Sequence, residues 1–387
     1  MKLTKYMLVA TAALAVASCS KWTEPERKTF PGQGNIERII PEPPAKPLID
    51  IKTEAELNNT QREYFKQIRE YRTTPHVLGF GWYGNWTGQG TDPMRHLKTL
   101  PDSVDFVSLW GTRTPLTESQ KLDLKFFQDV KGGKALLCWI VQDLGGPLTP
   151  ADYKPGVAGR EYDYWFNVKG GGDQKKAAIA YAEALCDTIE KYNLDGFDID
   201  YEPGYGHSGT LANNEMISET SGNTAMYAFI KTMYDRFKGT GRMLVFDGQP
   251  EKLSTEASKM IDFYIYQAYW ETTAGSVRNK VTRTHLDKWD EKTIITAEYE
   301  QTWREGNGRG YSAGDPDVRA MQGGRQITDY AVLELNGKRV AGIGTYHMEY
   351  DKSDEIPYRW LRQALDFGNK TKPGKFTGKL PAPAKKN

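Results

Sequence analysis

A chain of 387 residues, 39% hydrophobic and 12% aromatic, is long enough to bury a large core as one big barrel or two medium domains. Its 51 basic and 50 acidic residues leave a formal charge of +1, so there is no broad basic field to hold a nucleic acid. Five scattered histidines and three cysteines, none at zinc-like spacing, argue against a structural metal site, and no metal or other cofactor is expected.

In chain order, Lys2 and Lys5 precede an apolar run over 6–17, followed by Ser18 and Cys19. This is the pattern of a secretory signal. Ala17 and Ser18 directly before Cys19 resemble a bacterial lipoprotein cleavage box. The resemblance implies that 1–18 is a signal peptide, removed during export. Cys19 then becomes the lipidated first residue and anchors the chain in the cell envelope, at the outer membrane, with the choice of face open. No later segment has the length and apolarity of a membrane span. Residues 19–50 are polar and proline-rich and read as a tether. A domain over 51–370 follows, and the Lys-, Pro- and Gly-rich segment 371–387 reads as a disordered tail. Cys138 and Cys186 are expected as buried thiols, with a disulfide between them left open.

Within the domain, 54–72 reads as a helix with Leu57, Tyr64, Phe65 and Ile68 on its apolar face. Eight short apolar runs then follow, at 77–83, 104–110, 135–141, 194–202, 243–247, 263–269, 293–298 and 340–346. Helical patterns lie between several of them, at 116–130, 175–191, 224–238 and 252–260. Eight strands alternating with helices give an α/β fold, a single-domain (β/α)8 TIM barrel. An open doubly wound sheet is the alternative, but no glycine-rich dinucleotide fingerprint supports it. Long segments follow the third, fourth and seventh strands, at 145–172, 203–223 and 301–325. The first carries Tyr153, Tyr162, Tyr164, Trp165 and Phe166, and the last Trp303 and Tyr311. In a barrel they rise together on the C-terminal face, where such folds place their sites.

The fourth run carries the chemistry. Side chains alternate faces along a strand, so Asp198, Asp200 and Glu202 point the same way. Three like charges on one face repel, and two adjacent carboxylates resist ionising together, so one of the three is expected to hold a proton. Glu202 lies at the strand's C-terminal end, nearest any substrate, and a protonated glutamate there is suited to general acid catalysis. A solvated edge strand would explain alternating charge, but Leu194, Phe197 and Ile199 demand burial. A calcium loop would need a glycine turn that the spacing lacks.

Asp195-x-x-Asp198-x-Asp200-x-Glu202 resembles the signature of glycoside hydrolase family 18, whose chitinases and endo-β-N-acetylglucosaminidases are (β/α)8 barrels. The resemblance implies substrate-assisted retention, without an enzymic nucleophile. In that scheme Glu202 protonates the glycosidic oxygen while the carbonyl oxygen of the substrate's 2-acetamido group attacks the anomeric carbon. Asp200 holds the acetamido N–H, Asp198 supports Asp200, and Glu202 then activates water. Asp195 serves the architecture of the strand.

On the sixth run Gln267 and Tyr269 share a face. A buried glutamine needs partners that a sugar amide or hydroxyl supplies, though both side chains would also suit an ordinary inward-facing barrel layer. A tyrosine hydroxyl there would steer the acetamido carbonyl. Chitinases of the family usually show Met-x-Tyr-Asp at this place. Gln267-x-Tyr269-Trp270 instead resembles the endoglycosidases that cut within the chitobiose core of N-glycans. On the eighth run Tyr346 takes the place where chitinases commonly offer a tryptophan floor. Trp82, Tyr83 and Trp86 near the end of the first strand, with Trp110, Trp139 and Trp270, are candidates to line subsites, although core packing is the commoner fate of any one aromatic. Glu298 and Glu300 on the seventh strand are candidate polar site residues, and His347 reads as structural.

The expected function is therefore a lipid-anchored, monomeric endo-β-N-acetylglucosaminidase. It would hydrolyse the β-1,4 linkage between the GlcNAc residues of the chitobiose core in N-glycans of glycoproteins. The alternatives are a chitinase acting on GlcNAc oligomers and a non-catalytic surface glycan-binding lipoprotein.

Overall fold

The computed structural model describes residues 46–153, 158–300, 304–352, 356–372 and 374–382. The proposed signal, Cys19, most of the tether and Trp303 lie outside them.

Eight parallel strands close into a barrel: β1 (Leu78–Trp82), β2 (Phe106–Trp110), β3 (Lys134–Ile140), β4 (Gly196–Tyr201), β5 (Met243–Gly248), β6 (Phe263–Gln267), β7 (Thr293–Glu298) and β8 (Gly342–Tyr346). Each pairs with its successor in the chain, and β8 returns to β1 in the register Leu78↔Gly342 to Gly81↔Thr345. All eight expected strands are present, with ends that differ by no more than two residues.

Period-two alternation sorts the side chains into two cores. Phe80, Phe106, Leu136, Met243, Val245, Phe263, Ile265 and Ile294 fill the barrel interior. Val107, Leu137, Phe197, Ile199, Phe246, Tyr264 and Ile295 face outward and pack beneath the helices. The interior is crowded enough to dictate glycine on β8. A Cβ on Gly344 would stand 2.5 Å from the Phe80 ring.

The outer layer contains α2 (Glu118–Asp129), α3 (Gln174–Lys191), α4 (Thr224–Phe237), α5 (Ala274–Val281), α6 (Arg325–Val332) and α7 (Arg359–Lys370), after an N-terminal α1 (Asn59–Tyr71). On α3 the buried face reads Ala177, Ala178, Tyr181, Ala182, Leu185, Cys186 and Ile189, the spacing of an amphipathic helix. Asp173 caps its first turn through the Lys176 N–H. The apolar side chains of α1, Phe65 and Ile68, pack with Ile51, Phe126 and Val130.

Three expectations change. The stretch 54–72 splits into a 3-10 turn and a helix, because Asn58 accepts the Gln61 N–H and starts the helix there. The stretch 252–260 is a 3-10 turn and one helical turn, Thr255–Ser258, capped by Ser254. The tail was expected to be disordered, yet residues 374–382 run under the barrel. The Gly378 carbonyl accepts the His76 N–H at 2.9 Å, and Leu380 joins the interior cluster as its floor. Cys138 on β3 and Cys186 on α3 are both buried free thiols. Among the described residues no helix is long and apolar enough to cross a membrane.

Candidate active site

The C-terminal ends of the strands surround a pocket of about 330 Å³. Asp200 and Glu202 enter it from β4 and the residue after it. Gln267 enters from the end of β6 and Tyr269 from two residues beyond it, Trp82 from β1, Trp110 from β2 and Tyr346 from β8. The period of the strands produces this convergence, since each of these side chains is in inward phase with the apolar residues below it.

The acidic row descends from rim to core. The Glu202 side chain is 13% exposed, Asp200 is 4% exposed and Asp198 is fully buried. Asp198 Oδ2 accepts hydrogen bonds from Ser108 Oγ at 2.6 Å and Trp82 Nε1 at 3.1 Å. Burial pushes its carboxyl up to about 6 against these stabilising donors. Asp200 is driven well above the ordinary aspartate range, first by burial and then by the charges of Glu202 and Asp198. Glu202 sits where β4 ends and the chain turns. Its carbonyl accepts the Tyr205 N–H at 3.0 Å, and its Oε2 lies 2.9 Å from His207 Nδ1. Gly248 on the neighbouring strand makes room for that turn. It has φ +82°, and a Cβ there would stand 2.5 Å from the Tyr201 carbonyl oxygen and 2.9 Å from Glu202 Cγ.

The long segment after β4 is held in place from beneath. The Tyr201 hydroxyl donates to Asn213 O at 2.8 Å, and Asn223 Nδ2 donates to the Tyr201 hydroxyl at 3.0 Å and to Leu211 O at 2.7 Å. Asp143, after β3, accepts both the N–H and the hydroxyl of Thr210. These bonds tie the loops after β3 and β4 into one wall.

An aromatic floor completes the pocket. Tyr346 stacks on Tyr269, with ring centroids 6.0 Å apart, and meets Trp82 and Trp110 edge-on at 6.2 Å each. Burial, then the charges of Asp247 and Asp200, keep the Tyr269 phenol neutral. A neutral phenol beside carboxylic groups is a hydrogen-bond donor for a carbonyl oxygen.

Comparison with known proteins settles the class. Residues 43–367 match the family described as glycoside hydrolase family 18, BT1044-like. A solved structure of BT1044, a selenomethionine form bearing a glutamate-to-glutamine change, is 59% identical and superposes with a TM-score of 0.81 over 86% of this chain and 99% of that one. The chain belongs to glycoside hydrolase family 18. Endo-beta-N-acetylglucosaminidase F2 of Elizabethkingia meningoseptica is 23% identical over 298 residues, 73% of this chain and 76% of that protein. The endo-beta-N-acetylglucosaminidase of Cordyceps militaris shares the fold, at 17% identity and a TM-score of 0.50 over 79% of this chain and 96% of that one.

Within this glycoside hydrolase, the remaining residues marked out from sequence divide by position. Trp270 is 61% exposed at the pocket rim, with the Arg309 guanidinium 4.1 Å above its ring. Trp139 points outward from β3 against Phe197 and lines a second cavity of about 830 Å³. That cavity shares Trp110 and Ile140 with the first and continues past Gln142, Asp143 and Tyr162. Glu298 ends β7 half-buried on the inward face, but it is not part of the pocket wall, and Glu300 is exposed.

Tyr83 and Trp86 do not reach the pocket, contrary to expectation. Tyr83 follows Trp82 and so takes the opposite face, where its hydroxyl donates to Met94 O at 2.5 Å. Trp86 is folded against α2 and donates to Asp123 Oδ2 at 2.8 Å. His347 pairs with Glu349 at 2.8 Å outside the pocket wall. At the opposite end of β4, Asp195 accepts from Gln128 Nε2 and the Ala135 N–H, which fixes the strand's start.

The sequence reading missed Asp247 and His207. Asp247, the penultimate residue of β5, is in phase with Met243 and Val245, is fully buried, and accepts Gln267 Nε2 at 3.0 Å. An acid at the C-terminal end of an apolar strand, in inward phase, was the available signal. His207 had none, because only the turn after β4 brings it back to Glu202. Oxygens of Asp200, Glu202 and Asp247 gather within 4.8 Å, as do the ligand atoms of Cys138, Asp198 and Asp247, and these are the described residues able to hold a cation. Burial raises the Asp198, Asp200 and Asp247 carboxyls and so opposes the fully ionised set that a hard cation requires.

Proposed function

We propose that this family 18 hydrolase is an endo-β-N-acetylglucosaminidase. It cuts the β-1,4 linkage between the two GlcNAc residues in the chitobiose core of N-glycans on glycoproteins. The observation that carries the reading is the convergence of Gln267 and Tyr269 with Asp200 and Glu202 in one pocket, which shares Trp110 and Ile140 with a second cavity beside it. The first four side chains suit an N-acetylated sugar, and the adjacent cavities suit a branched ligand. The name of the Elizabethkingia relative supports the same assignment.

In this mechanism protonated Glu202 gives its proton to the glycosidic oxygen as the bond to the anomeric carbon breaks. The acetamido carbonyl oxygen attacks the same carbon, so the intermediate is a ring formed within the substrate. Asp200 accepts the acetamido N–H and balances the positive charge, and Tyr269 donates to the acetamido oxygen and orients it. Glu202, now a carboxylate, takes a proton from water as the water opens the ring. The configuration is retained, and Glu202 ends protonated.

Mass spectrometry of a defined glycoprotein after incubation tests this. The reading requires one GlcNAc left on each asparagine and one at the reducing end of the released glycan. Cleavage of chitin oligomers without glycan release would make the protein a chitinase, and tight glycan binding without turnover of either would make it a binding protein. The proposal extends to location: a lipid on Cys19 holds the enzyme in the cell envelope. Metabolic labelling with a fatty acid should mark the wild type and leave Cys19→Ala unlabelled.

A further inference from the structure

Asp247 has a place in the site that the three-acid row of β4 does not explain. It is paired in register with Asp200 across β4 and β5, is fully buried, and touches both Asp198 and Asp200 through its carboxyl group. Each of these three carboxyls keeps one buried oxygen without an N–H or O–H donor of the protein: Asp247 Oδ2, Asp200 Oδ1 and Asp198 Oδ1. The groups facing Asp247 are Asp198, Asp200 and Glu202 from β4 and its end, Cys138 from β3, and Gln267 and Tyr269 from β6. Among the described residues no lysine or arginine pairs with Asp198, Asp200 or Asp247. Buried carboxylates in contact without a cation must be bridged by protons.

We propose that Asp247 is a positioning residue for hydrolysis: it keeps a proton throughout the cycle, shares it with Asp200, and so aims Asp200 at the substrate's acetamido group. Gln267 fixes which oxygen carries that proton. Its amide donates to Asp247 Oδ1, which leaves Oδ2 as the hydroxyl. The bridge also ties β5 and β6 to the acids of β4, so the two residues that frame the acetamido group, Asp200 and Tyr269, are held by one network. Burial and the neighbouring charges of Asp200 and Asp198 drive the Asp247 carboxyl well above the ordinary range, in agreement with the geometry.

This inference rests on the proposed mechanism, and its test has an arm that does not. Asparagine at 247 copies a protonated aspartate: its oxygen still accepts from Gln267 and its NH₂ still donates to Asp200. Asp247→Asn should therefore keep kcat within about tenfold of wild type, with the alkaline limb of the pH profile in place. Asp247→Ala should lose about 10²-fold in kcat with KM little changed, because Asp200 is no longer aimed. In infrared spectra of the substrate-free protein at neutral pH, Asp247→Asn should lose a buried carboxylic acid C=O band that the wild type shows. Equal losses in both variants, an unaffected Asp247→Ala, an alkaline limb displaced to lower pH in Asp247→Asn, or an unchanged infrared band would each overturn the assignment. If Asp247→Ala does not fold, the Asn variant and the infrared band still decide. If the wild type releases no glycan, the substrate reading fails while the band still reports on Asp247.

Discussion

At the scale of single residues, position along β4 separates three acids of nearly the same chemistry. In the proposed mechanism Glu202, at the rim, is the proton donor, and Glu202→Gln should lower the rate by about 10²–10⁴-fold while the thermal midpoint stays close to wild type. Tyr269→Phe removes the proposed donor to the acetamido oxygen and should cost about 10²-fold in kcat. The deeper acids carry a pH signature in stability. Asp198 has its carboxyl raised from 3.8 to about 6 by burial, so the folded state binds its proton more tightly than the unfolded state does. Its contribution is complete below pH 3.8 and is lost as pH rises toward 6. Asp198→Asn, which cannot lose that proton, should gain in melting temperature relative to wild type as pH is raised from about 4 to 7. A constant offset between the two across that range would show that Asp198 is not proton-bearing in the fold. How much was legible also divides residue by residue. Asp198, Asp200, Glu202, Gln267 and Tyr269 could be read because alternation on a strand needs no tertiary information. Tyr83 and Trp86, expected in the subsites, turn elsewhere, because beyond the strand end only the folded loop decides whether an aromatic faces the pocket or α2.

At the scale of elements, the eight strands were legible because both of their faces are buried and their apolar runs end at polar turns. The helices were less so. The stretch 252–260 has helical composition, but Ser254 caps a helical turn that ends after Ser258. The tail was misread because its composition is that of a solvated segment, while its order comes from a few specific contacts. One residue, Leu380, reaches the bottom of the barrel interior. Leu380→Ala should therefore destabilise the protein by about 2 kcal/mol in urea unfolding, with activity per folded molecule unchanged. A change within error would mean that the tail lies against the barrel without closing it.

At the scale of the whole molecule, the closed barrel sets eight strand ends around one axis, and the long segment after β3 walls a second cavity beside them. Trp110 stands on the boundary of the two. Trp110→Ala should raise KM for a branched glycoprotein substrate about tenfold and leave kcat nearly intact, since it removes binding shared by ground and transition states. In the proposed function the pocket, the cavity beside it and the β4 acids together release N-glycans by a cut inside the chitobiose core. The most direct measurement is the mass of the sugars and of the protein after a defined N-glycoprotein is incubated with wild type and with Glu202→Gln. The expected products are a glycan ending in a single GlcNAc and a protein that keeps the other GlcNAc, with neither formed by the variant. A glycan released with both GlcNAc residues, no release at all, or equal release by the variant would contradict that function.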